Sequence, residues 1–167
     1  YPVRVGDVVS FPTWQMHSLQ HGVRVIEFQT PHYERMIVMF GQKALTQDHW
    51  NTEEALAGMK PEVYQPPQPE LIWQQDGVRC ERVVDFPDFD AFRICVPSGQ
   101  RVRLEGKGNY QLLMGVEGYG QLLVGGESCG TVRHEEGWMI PAVADDCWLE
   151  SRGTGDLICL QAIPKSS

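Results

Sequence analysis

The sequence predicts an all-β fold, a jelly roll or small antiparallel barrel, accompanied by one short helix. Short apolar runs with strand-like alternation recur from about Leu71 to Pro164. Turn-forming residues separate them at short intervals, and only one stretch of the chain reads convincingly as a helix.

In chain order, residues 1–40 read as short strands with turns. Val8-Val9-Ser10-Phe11 runs into Pro12, which has no N–H to give a sheet ladder and so ends the strand. Val23 to Phe28 alternates as a half-buried strand does, and Met36 to Phe40 is a short apolar run suited to a buried strand. Asn51 with Glu54 has the form of a capping box ahead of Ala55, Leu56, Ala57 and Met59, and Pro61 stops that helix. Pro61, Pro66, Pro67 and Pro69 stiffen the connector that follows. The strand candidates beyond it are Arg79–Val84, Phe92–Val96, Arg101–Glu105, Tyr110–Val116, Gly120–Val124, Gly130–Arg133, Gly137–Ile140, Cys147–Glu150 and Leu157–Ala162. Pro97-Ser98-Gly99, Gly118, Gly125-Gly126, Asp145-Asp146 and Gly153-Thr154-Gly155 punctuate them. Asp85 to Asp90 reads as a solvated acidic loop pinned by Phe86 and Phe89.

Composition narrows the function. Of the 167 residues, 14 are Lys or Arg and 22 are Asp or Glu, and the net charge of −8 argues against general affinity for nucleic acid or anionic membrane. The longest strongly apolar run, Met36 to Phe40, is far shorter than the roughly 20 residues of a membrane helix. Cys80, Cys95, Cys129, Cys147 and Cys159 show neither a CxxC pair nor a zinc spacing, so they read as buried thiols in a reducing compartment. With no secretory signal in view, the expected location is the cytoplasm. The opening at Tyr1, already within a strand-turn pattern, reads as a piece of a longer protein.

The most informative stretch runs from Gly6 through Pro12 and Trp14 to His17 and His21. It resembles the second conserved motif of the cupin superfamily, G-x5-P-x-G-x2-H-x3-N. Gly6, Pro12 and His17 fall at that spacing, Trp14 stands at the second glycine and His21 at the asparagine. In physical terms a strand ends at the proline, the chain turns, and His17 enters the barrel, where imidazole is a common ligand of Zn, Fe, Ni or Mn. The competing reading is a histidine bonded to backbone beside Trp14. His21, in a turn feeding a strand, is a weaker ligand candidate, and His32 and His49 read as solvated.

The stretch from His17 to Leu56 is further similar to type I mannose-6-phosphate isomerases, which are cupins. The counterparts are His17, Gly22, Val25-Ile26-Glu27, Arg35, Lys43 and the helix at Asn51–Met59. Val116-Glu117-Gly118-Tyr119-Gly120 resembles the family's V-E-G-x-G turn, and Glu136 to Ala142 its G-E-S-x-x-I-P-A strand. The resemblance implies metal-dependent interconversion of mannose 6-phosphate and fructose 6-phosphate. It makes His17 the last ligand of a divalent, zinc-type metal whose Gln, His and Glu ligands come from sequence ahead of Tyr1. It makes Arg35 the catalytic cation, its fork suited to phosphate or enediolate oxygens, and Lys43 a contact of the substrate phosphate. Arg35 otherwise reads as a surface residue paired with Glu34, and Lys43 as a solvated one.

The domain expectation follows. Residues 1–45 are the terminal strands of a first cupin barrel, 46–70 a helix and proline-rich connector, and 71–167 a second barrel. That second barrel carries no metal motif, because Gly106 to Gln111 offers no His-x-His and Glu, and its role reads as packing. The expected function is the C-terminal part of a sugar-phosphate aldose–ketose isomerase, inactive as this chain, with a small-molecule sugar phosphate as substrate. Exposed strand edges favour a homodimer or pairing with the N-terminal half of the same protein. Competing expectations are a non-catalytic bicupin that binds a sugar or small ligand, and an iron-dependent cupin dioxygenase.

Overall fold

A computed structural model describes residues 2–30, 36, 38, 49–62, 65–106 and 108–165. The chain divides into two compact units, Tyr1–Pro66 and Pro67–Ser167, with the division falling inside the proline run.

Among the described residues the second unit holds ten strands. They are β1 (Glu70–Gln75), β2 (Val78–Asp85), β3 (Phe89–Val96), β4 (Arg101–Arg103), β5 (Gln111–Glu117), β6 (Tyr119–Val124), β7 (Glu127–Arg133), β8 (Gly137–Ile140), β9 (Cys147–Ser151) and β10 (Leu157–Pro164). All nine expected strands are present. The tenth, β1, is an addition: Glu-Leu-Ile-Trp-Gln-Gln has no alternation, and all six residues are exposed on a sheet edge. Two sheets form, ordered β1-β2-β3-β10-β5-β8 and β4-β9-β6-β7, and every pairing is antiparallel. From β3 to β10 the chain deals its strands to the two sheets in the interleaved order of a jelly roll, while β1 and β2 widen one sheet.

Alternation decides which side chains fill the space between the sheets. Phe92, Ile94 and Val96 of β3, Leu113 of β5 and Leu157, Cys159 and Ile163 of β10 meet Leu122 of β6, Val132 of β7 and Cys147 and Leu149 of β9 in one buried cluster. Val96, Val132, Leu149, Leu157 and Cys159 are completely excluded from solvent. A polar pair sits within this interior. Gln161 Nε2 donates to Gln111 Oε1, and both residues are buried. Mutual bonding meets the cost of placing two amides there.

Turns close the ladders where the sequence expects them. Gly118, at φ 82°, reverses the chain between β5 and β6, and a Cβ there would press on the backbone of Asp156 and Leu157. The Asp85–Asp90 segment is shorter as a loop than expected, because Asp85 ends β2 and Phe89 begins β3. Phe86 N–H donates to Phe89 O at 3.0 Å, and the two rings meet edge to face at 5.4 Å. Lys165 reaches back from beyond β10 to Asp85 and Asp90, and Arg82 joins Glu70 at 2.6 Å. The Lys165 ammonium holds the Asp85 carboxyl below its usual range.

The first unit differs from the expectation. Among its described residues there is no paired strand, and Val8–Phe11 and Val23–Phe28 run as irregular chain between turns. Alternation prepares a segment for a sheet, but a strand also needs a regular ladder of N–H and C=O bonds, which a local pattern does not supply. Of Met36–Phe40 only Met36 and Val38 are described, and neither is in a strand. Helix α1 spans Thr52–Gly58 with Asn51 as N-cap. The expected side-chain cap is not made, because Asn51 at φ −101°, ψ 34° lies outside the extended conformation that aims a capping side chain at the helix N–H groups. Instead Glu53 and Glu54 place negative charge at the helix start, and Thr52 Oγ1 donates to Val38 O at 3.4 Å.

Leu149→Ala removes a fully buried side chain from the centre of β9 and is expected to destabilise the second unit by about 2–5 kcal/mol. Urea unfolding of the whole chain, followed through amide signals of residues 70–164, measures this; an unchanged midpoint contradicts the packing described.

Candidate functional site

The site is built on the turn between Pro12 and Gln15. Gln15 N–H donates to Pro12 O at 3.1 Å, and Trp14, third in the turn, has φ 71°. That left-handed conformation is natural to glycine and costs other residues about 1–2 kcal/mol. Gly6, at φ 89°, turns the chain at the start of the same stretch, where Asp7 N–H donates to Arg4 O and Arg4 N–H to Asp7 Oδ2. Both positions at which the motif calls for glycine are therefore left-handed, although one of them is a tryptophan.

The Trp14 ring lies over Gly58, the last residue of α1. A Cβ at Gly58 would fall within contact distance of Cζ3, Cε3 and Cη2 of the indole, the last at 2.9 Å. Lys60 N–H donates to Trp14 O at 3.4 Å. These tertiary contacts were missed at the level of sequence. The only sign available there was a bulky residue where a motif wants glycine.

His17 follows the turn and is exposed. Its ring stacks on Phe11 with centroids 4.0 Å apart and planes 14° from parallel. Nδ1 lies 2.9 Å from Gln15 O. A carbonyl only accepts, so Nδ1 is the donor, and the neutral ring keeps its lone pair on Nε2. This is the arrangement in which an imidazole coordinates a metal or accepts a proton. The ring does not enter a barrel interior as expected, because no strand pairs beside it among the described residues. The backbone-bonded alternative describes Nδ1, and Nε2 is the atom left for chemistry.

Arg35 and Lys43 lie outside the described residues, as does His32. His21 is exposed in a turn with Gly22, which has φ 81°. In the second unit His134 sits in the polar turn expected for it, Nδ1 donating to Val116 O at 2.6 Å and Nε2 3.5 Å from Glu135 Oε1. Among the described residues no group of three or more His, Cys, Asp and Glu side chains is placed to hold a metal ion. These residues alone therefore do not make a metal site.

The thiols do not supply a nucleophile at the centre of the second unit. None of the five cysteines forms a disulfide; Cys80, Cys147 and Cys159 are buried, Cys95 is half-buried and Cys129 is exposed. Burial pushes the Cys159 thiol up to about 12 and the Cys147 thiol to about 11, so both stay protonated at neutral pH.

No family's sequence pattern matches the chain, and none of the curated proteins matches it. Solved structures do. The mannose 6-phosphate isomerase of Bacillus subtilis aligns with a TM-score of 0.56 at 13% identity, over 68% of this chain and 34% of that one. The chain thus spans about a third of that isomerase's length. A cupin 2 conserved barrel domain protein from Salinispora arenicola aligns at 0.49 and 13% identity, covering 62% of this chain and 88% of that one. An RmlC-like cupin from Shewanella frigidimarina aligns at 0.48 and 15%, covering 60% and 85%. Strand order and the first of these likenesses together show the fold, an all-β jelly roll of two antiparallel sheets.

Two of the three buried thiols, Cys147 and Cys159, make the fold sensitive to alkali. Unfolded thiols ionise near 9, whereas the folded ones hold their protons to about 11 and 12. Raised folded values mean stability that is complete below pH 9 and lost as pH climbs through the folded values. Chemical denaturation of the whole chain between pH 8 and 11 is expected to show a falling midpoint, and Cys159→Ala should flatten that slope.

Proposed function

We propose that the chain is the C-terminal part of a two-barrel sugar-phosphate isomerase that interconverts mannose 6-phosphate and fructose 6-phosphate. In this reading unit Tyr1–Pro66 presents His17 toward a divalent metal of zinc type, and unit Pro67–Ser167 is a packed barrel without a metal site. The observation that carries it is the Pro12–Gln15 turn. Trp14 takes the left-handed backbone of the glycine it replaces, and His17 follows with Nε2 open. The structural likeness to the isomerase supports the same assignment.

Isomerisation moves a proton between C1 and C2 through an enediol, which calls for a base and a positive group facing the developing oxyanion. Arg35 is assigned as that cation and Lys43 as a contact of the substrate phosphate. A single imidazole is too few ligands for a catalytic metal, so this chain is assigned no turnover of its own. The alternative is a non-catalytic binder of a sugar or small ligand, and it is favoured by the exposure of His17 and the filled interior of the second unit.

A coupled assay for mannose 6-phosphate turnover and metal analysis of the longer parent protein test this. Zinc with isomerase activity is expected, and His17→Ala should lower kcat/KM by about 10²-fold or more. Iron in the parent points to an oxygenase, and a metal-free, inactive parent to a binder. Rapid turnover by the 167-residue chain alone contradicts the assignment of a partial site.

A further inference from the structure

We propose that helix α1 is a clasp on the His17 turn, with Trp14 and Gly58 as positioning residues that set which nitrogen of His17 carries the proton. The inference rests on the reading of His17 as the functional side chain. It adds what holds that side chain ready.

A tryptophan leaves a left-handed backbone unless tertiary contacts hold it there. Two contacts do so, one from the last residue of α1 and one from just beyond the helix: the indole seated on Gly58, and Lys60 N–H donating to Trp14 O at 3.4 Å. Glycine is required at 58 because any Cβ would overlap the indole. The turn that Trp14 completes brings Gln15 N–H to Pro12 O and orients the next peptide, so that Gln15 O faces Nδ1 of His17 at 2.9 Å. Contact at Gly58 is thereby converted into a proton on Nδ1 and a lone pair on Nε2. Were residue 14 a glycine, the turn would form without help. With tryptophan there, it depends on the helix.

Nitrogen–proton correlation spectra of the histidine rings in the whole chain, at a pH where imidazoles are neutral, distinguish the two tautomers. The native chain is expected to show His17 mainly as the Nδ1–H form. Gly58→Val and Trp14→Ala should convert it mainly to the Nε2–H form that unconstrained imidazole prefers. Trp14→Gly should keep the native signature, since glycine adopts the turn unaided. Amide signals of residues 70–164 report that the second unit remains folded, and if Gly58→Val unfolds the first unit the Trp14→Ala and Trp14→Gly pair still decides. An Nε2–H native chain, an unaltered Trp14→Ala or Gly58→Val, or a Trp14→Gly that behaves like Trp14→Ala each overturns the clasp. The readout is a ring tautomer, so its failure is separate from any failure of sugar-phosphate turnover in the parent protein.

Discussion

The second unit depends on the insertion of β10 between β3 and β5. Leu157 to Pro164 pairs residue by residue with Val96 to Phe89 on one side, and Ile158 to Ala162 pairs with Glu117 to Leu112 on the other, with a register shift after Ile158. Without β10, the β1-β2-β3 meander and the β5-β8 pair would be separate ribbons, each with an open edge where β10 now pairs. Its inward side chains, Leu157 and Cys159, are fully excluded from water. The strand that closes the sheet is also the last of those described. The barrel therefore rests on a non-local pairing, whose loop-closure entropy must be met before the buried area is gained.

That closure leaves little room for chemistry inside the second unit. Aliphatic residues from both sheets occupy the interior, and its buried amides, Gln111 and Gln161, satisfy each other. A barrel filled in this way commits its inward side chains to packing. The chemical interest moves to the first unit, where a single imidazole is held by a stacked Phe11 and the Gln15 carbonyl. The lone pair on Nε2 follows from elementary hydrogen-bond logic, since the carbonyl has no proton to give. The Trp14 backbone is the less expected feature. A motif position that normally relies on glycine's freedom here relies on the indole's contact with Gly58 and the bond from Lys60.

Much of the second unit was legible in the sequence because its signals are local. Period-two alternation marks which side chains can share a face, and Gly118, Pro97-Ser98-Gly99 and Gly125-Gly126 mark where the chain reverses; nine strands follow from those two patterns. β1 escaped because it does not alternate and exposes all six residues, so nothing in Glu70–Gln75 advertises a neighbour. The reverse error occurred in the first unit. Val8–Phe11 and Val23–Phe28 carry a strand pattern but run as irregular chain, and alternation cannot report whether a regular ladder forms. The capping box likewise named the right helix through the wrong bond, because Asn51 lacks the backbone conformation from which its side chain reaches the helix start.

By itself, the sequence determined the all-β class, the turn positions of the second unit and the location of helix α1, since each depends on residues near one another in the chain. Tertiary structure alone decided which strands are neighbours, that the interior is sealed around two glutamines, and that Trp14 is held left-handed by Gly58. The physical reason is common to all three. Pairing, burial and clasping are contacts between residues distant in sequence, and their energy belongs to the pair rather than to either member.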